Sequence, residues 1–579
     1  MAALQSPGSK MDNLSSAIRK YAVKNAMEHG SARESTVLAK VISLDPSLKN
    51  DMKSLAMQVA SVVKEINAMD KGALQKAYSE YEEEFEKEHS EKAAKSASHS
   101  FYVDGAVEGN FKTRFAPEPS GYMHIGHAKA AFIEMELARI YKGSVSLYFD
   151  DTNPAKERQE FVDALKKDSK WLGLSFSDEY YASDNIEYEY KCAEKLIKKG
   201  HAYVCFCNAD TIGEKRSEGK GCGHRNQTED ANLSFWKNMI KGEYDENQVS
   251  LRFKGDMQAL NTVMRDPVLF RIKKDIHYRQ GDKYVAWPSY DFNTPIVDSI
   301  KGVTHAARSK EYELRDELYY KLLELLEMRK PRIIEFSRFK IINNMTSKRD
   351  TNKLIEDGFV SGYDDPRLVT ISALRKRGIR PEAVRDFVLR SGMSRSESRS
   401  SMEELLALNR RIIDDSSKRL FFVREPVRLE VAGMDNIDIK LPLHPNIDMG
   451  YREYRCGSAY YIDSNDADAL KAGDMARLKG AFNIKITEVN DDLIKGEYKG
   501  TEKIDALIIQ WVSEGNFMQS DLTLIGDLLK DDEFNRNSMI KVNGYAEGYA
   551  SGLKDNDTVQ FERIGFFKFD AKEKTFFSL

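Results

Sequence analysis

The chain has 579 residues, 41% of them apolar, and its 88 Lys and Arg against 92 Asp and Glu give a net charge of −4. This length predicts about three to five domains of ~100–200 residues each, and the near balance of charge excludes a general affinity for polyanions, so any nucleic-acid surface must be local. Because no apolar run approaches the ~20 residues of a membrane span and no signal-type core begins the chain, the sequence predicts a cytoplasmic protein with no membrane contact.

Residues 1 to about 100 are predicted to be wholly helical. Leu14 and Ile18 fall at helical spacing, and the same spacing returns between Met57 and Ile66. The segment from Tyr78 to Lys95 is rich in charge and ends in Ala, Ser and Lys residues that suit a linker. This extension carries no catalytic constellation, so docking of a protein partner and contact with RNA are both left open.

The stretch from Arg114 to His127 is the most informative segment of the chain. Phe111 to Phe115 is predicted to form a strand, prolines and a glycine then force a turn, and apolar residues at helical spacing follow from Ile125. His124 and His127 therefore share one face at a helix start, where unpaired N–H groups and partial positive charge favour a phosphate. The alternative is a Gly/Pro turn that carries two solvated or core histidines.

A second strand with polar residues at its end favours a ligand site over the alternative of a simple turn. Val145 to Phe149 is predicted to be a short apolar strand that ends in Asp150 and Asp151, and a helix from Glu157 to Leu172 returns the chain. The segment is thus a β-α-β unit with polar residues at its strand ends, where open α/β sheets bind ligands. Taken alone, the residues that follow the second strand indicate no more than a turn with Asx caps.

Pro117 to His127, read as Pro-Glu-Pro-Ser-Gly-Tyr-Met-His-Ile-Gly-His, resembles the HIGH signature of class I aminoacyl-tRNA synthetases. The form is that of archaeal-type glutamyl-tRNA synthetases and, with small changes, of glutaminyl-tRNA synthetases, and the resemblance extends over essentially the whole chain. It implies a multidomain α/β fold with these parts: a helical N-terminal extension over 1–100, a Rossmann-like catalytic domain over 101–183 and 284–345, an acceptor-stem-binding insertion over 184–283, a helical connecting domain over 346–425, and C-terminal antiparallel β-barrels that bind the anticodon over 426–579.

The chain has only five cysteines, three of which are clustered in the expected insertion, and this pattern argues against a disulfide framework. Cys205 and Cys207 are followed, after fourteen residues, by Cys222 and His224, which together offer the four ligands of a closed tetrahedral zinc site. The alternative is three buried free cysteines near a surface histidine, and it is disfavoured because only two other cysteines exist. The zinc would be structural, and related glutamyl enzymes carry similar sites.

The resemblance assigns four residues to the bound amino acid. Asp150 would meet its ammonium group, Tyr290 its polar groups, Arg308 its side-chain end and Arg114 its α-carboxylate. Without the resemblance, Tyr290 is equally well explained as an ordinary core aromatic residue and Arg308 as a surface cation. A guanidinium fork matches a γ-carboxylate bidentately, whereas a glutamine amide would turn its NH₂ toward a buried cation, so Arg308 indicates glutamate. Ser120, where glutaminyl enzymes usually have Asn, indicates the same.

The loop Ser347-Lys348-Arg349 is expected to complete an ATP site. Such a tripeptide alone is usually a solvated turn, but its position about two hundred residues after His127 fits the second class I signature, usually written KMSKS. Thr346, in place of Met or Leu, and Asp350, where relatives often have Lys, depart from that pattern. The resemblance assigns His124, His127 and Lys348 to catalysis and the following residues to ATP: Glu118, Pro119, Ser120, His124, Gly126, His127, Ser309, Arg338, Phe339, Ser347 and Lys348.

The last part of the chain changes from helical to strand-like. Arg375 to Arg399 holds eight Lys and Arg against three acids, for which a solvated helix face and contact with an RNA backbone are both open. Archaeal-type glutamyl and all glutaminyl enzymes end in barrels, while bacterial glutamyl enzymes end in helices. Short runs separated by Gly, Asp and Asn predict one or two antiparallel barrels here: Val427–Val431, Ile437–Leu443, Ala459–Ile462, Phe482–Ile486 and Thr558–Phe561.

The resemblance implies a glutamate–tRNA ligase that uses ATP and Mg²⁺. The α-carboxylate of glutamate would attack the α-phosphate in line, and the glutamyl group would then pass to the terminal adenosine of tRNA. A glutaminyl ligase is disfavoured by Arg308, a non-catalytic tRNA-binding paralogue by intact His124, His127 and Lys348, and a truncated tRNA-modifying relative by the barrels. Whether the partner is tRNA(Glu) alone or also tRNA(Gln), whether activation needs tRNA, and the oligomeric state stay open.

Overall fold

The structure, a computed structural model, describes residues 7–44, 48, 51–81, 84–85, 101–490 and 492–579. The chain divides into two compact units, Met1–Tyr102 and Val103–Leu579. In the described residues, no helix is long and apolar enough to cross a membrane.

The first unit is helical where it is described, as the apolar spacing predicts. Asp51 and Asp70 cap two of its helices by accepting hydrogen bonds from the backbone N–H groups of Ser54 and Ala73. The predicted linker from Tyr78 to Lys95 lies largely outside the described residues. The helices are α1 (Pro7–His29), α2 (Glu34–Leu44), α3 (Met52–Asn67) and α4 (Lys71–Ser79), and they bury a core that includes Ile18, Val37, Val59 and Ile66.

A parallel sheet forms the centre of the second unit. Its first three strands alternate with two helices in the order β1 (Lys112–Phe115), α5 (Ile125–Ile140), β2 (Ser144–Phe149), α6 (Gln159–Trp171) and β3 (Asp178–Tyr181). Strands β8 (His305–Ser309) and β9 (Arg332–Phe336) pair in parallel, and the backbone N–H of Thr304 donates to the carbonyl of Lys112 at 2.8 Å. Strand β8 therefore continues the sheet beside β1, and the carboxyl ends of both halves meet at one edge.

A second, antiparallel sheet is inserted between the two halves. Its strands follow the order β4 (Ala202–Cys205), β5 (Ser250–Phe253), β6 (Val268–Ile272) and β7 (Ala286–Pro288). Because β7 pairs with β6, this sheet runs past residue 283 before the next helix begins. Around it lie α7 (Ile186–Lys198), α8 (Ala209–Ser217), α9 (Glu229–Ile240), α10 (Tyr290–Ile300) and α11 (Asp316–Leu326), with Trp236, Phe270 and Phe292 in the shared core.

The segment that follows β9 packs against the helix of the signature. Its helices share a core with α5, in which Phe132 meets Val384 and Leu405. It is not wholly helical, because a strand at Ser398–Ser400 pairs in parallel with Phe339–Ile341. The elements are β10 (Phe339–Ile341), α12 (Lys348–Glu356), α13 (Ile371–Arg377), α14 (Pro381–Arg390), β11 (Ser398–Ser400) and α15 (Met402–Ile413).

The C-terminal part consists of two barrel-like sheets of seven strands each. One follows the order β21 (Leu507–Ile509), β18 (Met475–Leu478), β19 (Asn483–Val489), β20 (Leu493–Tyr498), β14 (Val427–Ala432), β17 (Ala459–Ile462) and β22 (Trp511–Ser513). The other follows the order β12 (Lys418–Leu420), β27 (Thr558–Phe561), β28 (Gly565–Asp570), β29 (Thr575–Ser578), β23 (Phe517–Ile525), β26 (Met539–Glu547) and β13 (Phe422–Arg424). Strands β12 and β13 precede residue 426 because they pair with β27 and β26 near the end of the chain. The smaller elements are β15 (Ile437–Pro442), β16 (Tyr451–Cys456), α16 (Ser464–Asp468), β24 (Leu529–Lys530) and β25 (Glu533–Phe534).

Candidate active site

A cavity of about 930 Å³ lies at the carboxyl ends of the parallel strands. Its wall takes residues from the end of β1, the loop after β2, the end of β8, the start of α5 and the start of α12. The position is the one at which open α/β sheets bind ligands. Cationic side chains outnumber carboxylates along the wall, which suits an anionic ligand: Arg114, Lys129, Arg271, Arg308, Arg315, Arg338, Lys348 and Arg349 face Glu118, Glu134, Asp150, Glu157 and Glu311.

The two histidines of the signature cap α5 and line this cavity. Nδ1 of His124 accepts the backbone N–H of Gly126 at 3.1 Å, and Nδ1 of His127 accepts that of His124 at 3.2 Å. Burial lowers the pKa of His124 well below its usual value and that of His127 to about 4, so both rings are neutral near pH 7. With Nδ1 an acceptor, each ring carries its proton on Nε2 and can donate it. The helix start thus offers hydrogen-bond donors without full positive charges.

Lys348 lies against the signature turn although it is distant in sequence. It is the first residue of α12, whose N-cap Ser347 accepts the backbone N–H of Asp350. A Cβ at residue 121 would lie 3.3 Å from Cδ of Lys348, so glycine there lets the lysine stem pack on the turn. The ammonium group is 5.2 Å from the ring centre of Phe161. The two signatures therefore border one cavity.

Arg308 is buried, with 4% of its surface exposed, and presents an open edge to the cavity. Its guanidinium carbon lies 5.4–5.5 Å from the ring centres of Tyr290, Tyr312 and Tyr319. Nη1 donates to Asp316 at 3.1 Å, while Nε is buried and has no hydrogen-bond partner in the described part of the chain. Because a buried unpaired donor is costly, this edge is suited to accept an oxygen of a ligand.

Arg114 is already paired inside the protein. Its Nε and Nη2 donate to the two carboxylate oxygens of Asp298 at 2.7 and 3.2 Å, and Nη1 donates to the carbonyl of Ala307 at 2.9 Å. Tyr319 adds a third hydrogen bond to the same carboxylate. Arg114 therefore joins β1 to β8 and α10, and its charge is balanced before any ligand binds.

Asp150 directly follows β2 and lines the cavity. Its Oδ1 is buried and finds no hydrogen-bond partner among the residues that the structure describes, and its backbone N–H donates to the carbonyl of Pro117 at 3.2 Å. Burial, together with the nearby charges of Glu118 and Asp151, raises the pKa of Asp150 to about 7. A cationic group bound beside it would favour the ionised carboxylate and lower that pKa again.

The structure brings most of the predicted site residues to one place. Ser120 faces a neighbouring cavity of about 190 Å³, which it shares with His124, His127 and Lys348. Pro119 is buried and lines neither cavity. The predicted residues that line the larger cavity are Arg114, Glu118, His124, Gly126, His127, Asp150, Tyr290, Arg308, Ser309, Arg338, Phe339, Ser347 and Lys348.

Lys129 is a cavity residue that the sequence analysis missed. Its ammonium group donates to the carbonyl of Ser337 at 3.0 Å and lies over the rings of Phe336 and Phe339 at 5.9 and 5.5 Å. Burial lowers the pKa of Lys129 to about 8. The available signal was a charged residue on the apolar face of the signature helix, which also carries the buried Glu134. Lys129 fixes the segment that presents Arg338 to the cavity.

The cysteine and histidine cluster predicted in the insertion is assembled. The ligand atoms of Cys205, Cys207, Cys222 and His224 all lie within 4.8 Å of one another. The sulfur atoms of Cys205 and Cys222 are 3.7 Å apart, and Cys207 Sγ is 3.5 Å from Nδ1 of His224. Tetrahedral zinc with Zn–S bonds of about 2.3 Å separates its sulfur ligands by roughly 3.8 Å. The donor set and its spacing therefore fit zinc.

A cation lies beside this cluster. Nη1 of Arg252 is 3.7 Å from Sγ of Cys205, and the arginine is 2% exposed. Three thiolates around a divalent ion leave one net negative charge, which a neighbouring guanidinium balances. The surroundings as well as the ligands thus suit a bound divalent metal ion.

Three family models match successive parts of the chain. The catalytic-domain model of the class I tRNA synthetases (E and Q) matches residues 110–415, and two anticodon-binding-domain models of the same family match 417–502 and 508–570. A glutamate–tRNA ligase of Nitrosopumilus maritimus is 38% identical over 97% of this chain and 98% of its own length. The corresponding ligase of Pyrococcus furiosus is 35% identical over 96% of this chain and 97% of its own length. A solved glutamate tRNA ligase of Elizabethkingia meningosepticum covers 52% of this chain and 70% of its own at 19% identity, with a TM-score of 0.41.

Proposed function

This chain belongs to the class I tRNA synthetases of the glutamyl and glutaminyl branch, and we propose that it is a glutamate–tRNA ligase. It activates glutamate with ATP and transfers the glutamyl group to the 3′ terminal adenosine of tRNA. The choice of glutamate as the substrate rests on one observation: Arg308 is buried, and one edge of its guanidinium group is left available to a ligand in the cavity. A γ-carboxylate pairs with that edge, whereas a glutamine side chain would bring an NH₂ group against a guanidinium.

The amino-acid site is proposed to hold glutamate between opposite charges. Arg308 takes the γ-carboxylate and Asp150 the ammonium group, and the ring of Tyr290 forms the wall between them. Arg114 supports the α-carboxylate side, although its hydrogen bonds to Asp298 make it a fixed source of positive potential rather than a free fork. This balance of charges selects a zwitterion with an acidic side chain.

The ATP site is proposed to lie between the start of α5 and the start of α12. The Nε2–H groups of His124 and His127 and the ammonium of Lys348 stabilise the negative charge that develops as the α-carboxylate attacks the α-phosphate and pyrophosphate leaves. Mg²⁺ bound to ATP would neutralise the phosphates further. No side chain needs to act as a nucleophile, so the rate depends on positioning and electrostatics. Glu118, Gly126, Ser309, Arg338, Phe339 and Ser347 complete this part of the wall.

Aminoacylation of tRNA tests the proposal directly. Purified protein is incubated with ATP and Mg²⁺, with tRNA(Glu) or tRNA(Gln) transcripts, and with labelled glutamate or labelled glutamine. Charging with glutamate is expected, and the two transcripts report whether tRNA(Gln) is also accepted. Charging with glutamine alone would support the glutaminyl alternative, and no charging with either amino acid would support a non-catalytic tRNA-binding protein.

The cluster of Cys205, Cys207, Cys222 and His224 is proposed to hold a structural zinc ion. Four protein ligands leave no open position, so the metal would act on folding rather than on the reaction. It would join the end of β4 to the short 3₁₀ helix at Gly223–Asn226, across the fourteen residues that separate Cys207 from Cys222.

We expect the purified protein to contain about one equivalent of zinc, and Cys222→Ser to lose it. The loss should lower the melting temperature of the variant, because the metal stabilises only the folded state. The measurement is elemental analysis together with a thermal scan. Cys456→Ala is the matched control, since it removes a buried thiol from a barrel and should leave the zinc content unchanged. A zinc content that is equal in wild type and Cys222→Ser would refute the assignment.

A further inference from the structure

The loop that carries Asp150 is held by a turn of the inserted segment. The turn runs from His277 to Gly281. The backbone N–H of each of these two residues donates to the carbonyl of the other at 2.9 Å. The loop runs from Asp150 to Glu157. Asp150 and Asn153 line the cavity, and both carboxylate oxygens of Glu157 accept the backbone N–H of Asn153 at 2.9 Å. The geometry of this loop therefore sets the position of the carboxylate proposed to meet the substrate ammonium.

The ring of His277 is fixed on one side by its own turn. It is 1% exposed, and its Nδ1 accepts the backbone N–H groups of Arg279 at 3.2 Å and Gln280 at 3.0 Å. The ring also packs on Trp287, with the ring centres 4.9 Å apart. Because Nδ1 is an acceptor twice, the proton of the neutral ring is on Nε2.

The other side of the ring faces the loop. Nε2 of His277 lies 3.6 Å from Oδ2 of Asp151 and 3.7 Å from Oε2 of Glu157, and among the described residues it has no side-chain hydrogen-bond partner. Both carboxyl groups are buried. The Nε2 edge of the ring thus lies beside the two carboxyl groups at either end of the segment around Asn153, at distances slightly longer than a hydrogen bond.

Two further residues anchor Asp151 from the same region. Tyr278 donates its hydroxyl to Oδ2 at 3.0 Å, and Ser183 donates both its backbone N–H and its hydroxyl at 2.8 Å. Arg279 Nη1 lies 3.9 Å from the same oxygen. Asp151 therefore accepts several hydrogen bonds, whereas Glu157 accepts the backbone N–H of Asn153 and lies beside the Nε2 edge of His277.

Three carboxyl groups crowd this loop. Burial and mutual repulsion raise the pKa of Glu157 to about 10, and burial raises that of Asp151 and Asp150 to about 7. An uncompensated buried carboxylate would move toward solvent or change its protonation state. With a pKa of about 10, Glu157 is protonated near pH 7, and the fixed N–H dipole of His277 favours a carboxyl oxygen beside it over displacement of that group toward solvent.

We propose that His277 is a positioning residue for glutamate binding: its Nε2–H group holds Asp151 and Glu157 together and thereby keeps Asp150 aimed at the substrate ammonium. The inference rests on the proposed function, since it assigns a role within the same amino-acid site. Its effect should appear in the KM for glutamate more than in the KM for ATP, because the ring of His277 lies beside Asp151 and Glu157. The residues assigned to ATP lie instead on the signature turn, α5, the end of β8, α12 and the segment at 336–339.

Two substitutions separate the two sides of the ring. His277→Asn keeps a short side-chain acceptor able to cap the turn but removes the group that faces the carboxyl groups. His277→Gln can place an N–H near the position of Nε2 but is poorly suited to cap the turn. We expect His277→Asn to raise the KM for glutamate about tenfold or more, with the KM for ATP within about twofold of wild type, and His277→Gln to restore part of the glutamate affinity. The measurement is steady-state aminoacylation with each substrate varied in turn.

His444 supplies the matched control. It is 4% exposed, and its Nδ1 accepts the backbone N–H groups of Asn446 and Ile447 at 3.2 and 3.1 Å, as His277 does with its own turn. In the described part of the chain it forms no ion pair with a carboxylate. His444→Asn should therefore leave the KM for glutamate unchanged. Wild-type KM values for His277→Asn, or equal increases for glutamate and ATP, would overturn the proposal, while wild-type charging with glutamate would still support the function.

Discussion

Replacing Lys348 with alanine is expected to lower the rate of glutamyl-adenylate formation by about 10²–10³-fold, the range found when one preorganised donor to a developing negative charge is removed. The lysine stem packs on the signature turn at Gly121, so its ammonium is held over the cavity that His124 and His127 also line. ATP-dependent pyrophosphate exchange, with tRNA present, measures this step. Affinity for tRNA should be nearly unchanged, because the anticodon-binding domains are untouched.

Lys353→Ala is the matched control for this prediction. Lys353 belongs to the same helix, α12, and is exposed to solvent, so its removal changes the charge of the protein equally without affecting the cavity. We expect its exchange rate to stay close to that of wild type. An equal loss in both variants would indicate an effect on the helix, and a wild-type rate for Lys348→Ala would remove the role assigned to this residue.

The parts of the site that could be predicted from sequence are those whose chemistry is local. A strand, a Gly/Pro turn and two histidines at the start of a helix occupy consecutive positions, so their joint geometry follows from backbone preferences alone, and α5 does begin at Ile125 with His124 as its cap. The family and the function inferred from that signature are confirmed by matches over nearly the whole chain. The barrel-like sheets at the C-terminus are confirmed by the two seven-stranded sheets, and two anticodon-binding-domain models match the same part of the chain.

The parts that could not be predicted depend on contacts between distant segments. The pairing of Arg114 with Asp298 joins residues 184 positions apart, and nothing near either residue signals it. Strands β12 and β13 were hidden within a helical region because their partners lie more than a hundred residues further on. His277 is similar, since a single histidine in a turn has no pattern that distinguishes a buried positioning group from a solvated side chain.

Arg308→Ala is expected to reduce kcat/KM for glutamate by about 10²–10³-fold or more, the scale for leaving one member of a buried charge pair without its partner. The γ-carboxylate would then lie beside Tyr290, Tyr312 and Tyr319 without the guanidinium that these rings surround in the wild type. Asp316 would lose its partner as well, and burial already raises the pKa of that carboxyl to about 6. Aminoacylation kinetics with glutamate varied measure the loss, and a thermal scan shows whether the variant is folded.

Arg308→Lys separates the effect of the geometry of the guanidinium group from the effect of its positive charge. A lysine keeps the positive charge but offers a single point of contact, and it cannot donate to Asp316 and to a ligand through separate edges of one plane. If bidentate pairing selects the substrate, Arg308→Lys should lose most of the glutamate activity that Arg308→Ala loses and should not gain glutamine. If charge alone selects it, the lysine variant should remain close to wild type, and the discrimination against glutamine would then have to come from the charge balance of the whole cavity rather than from the geometry of Arg308.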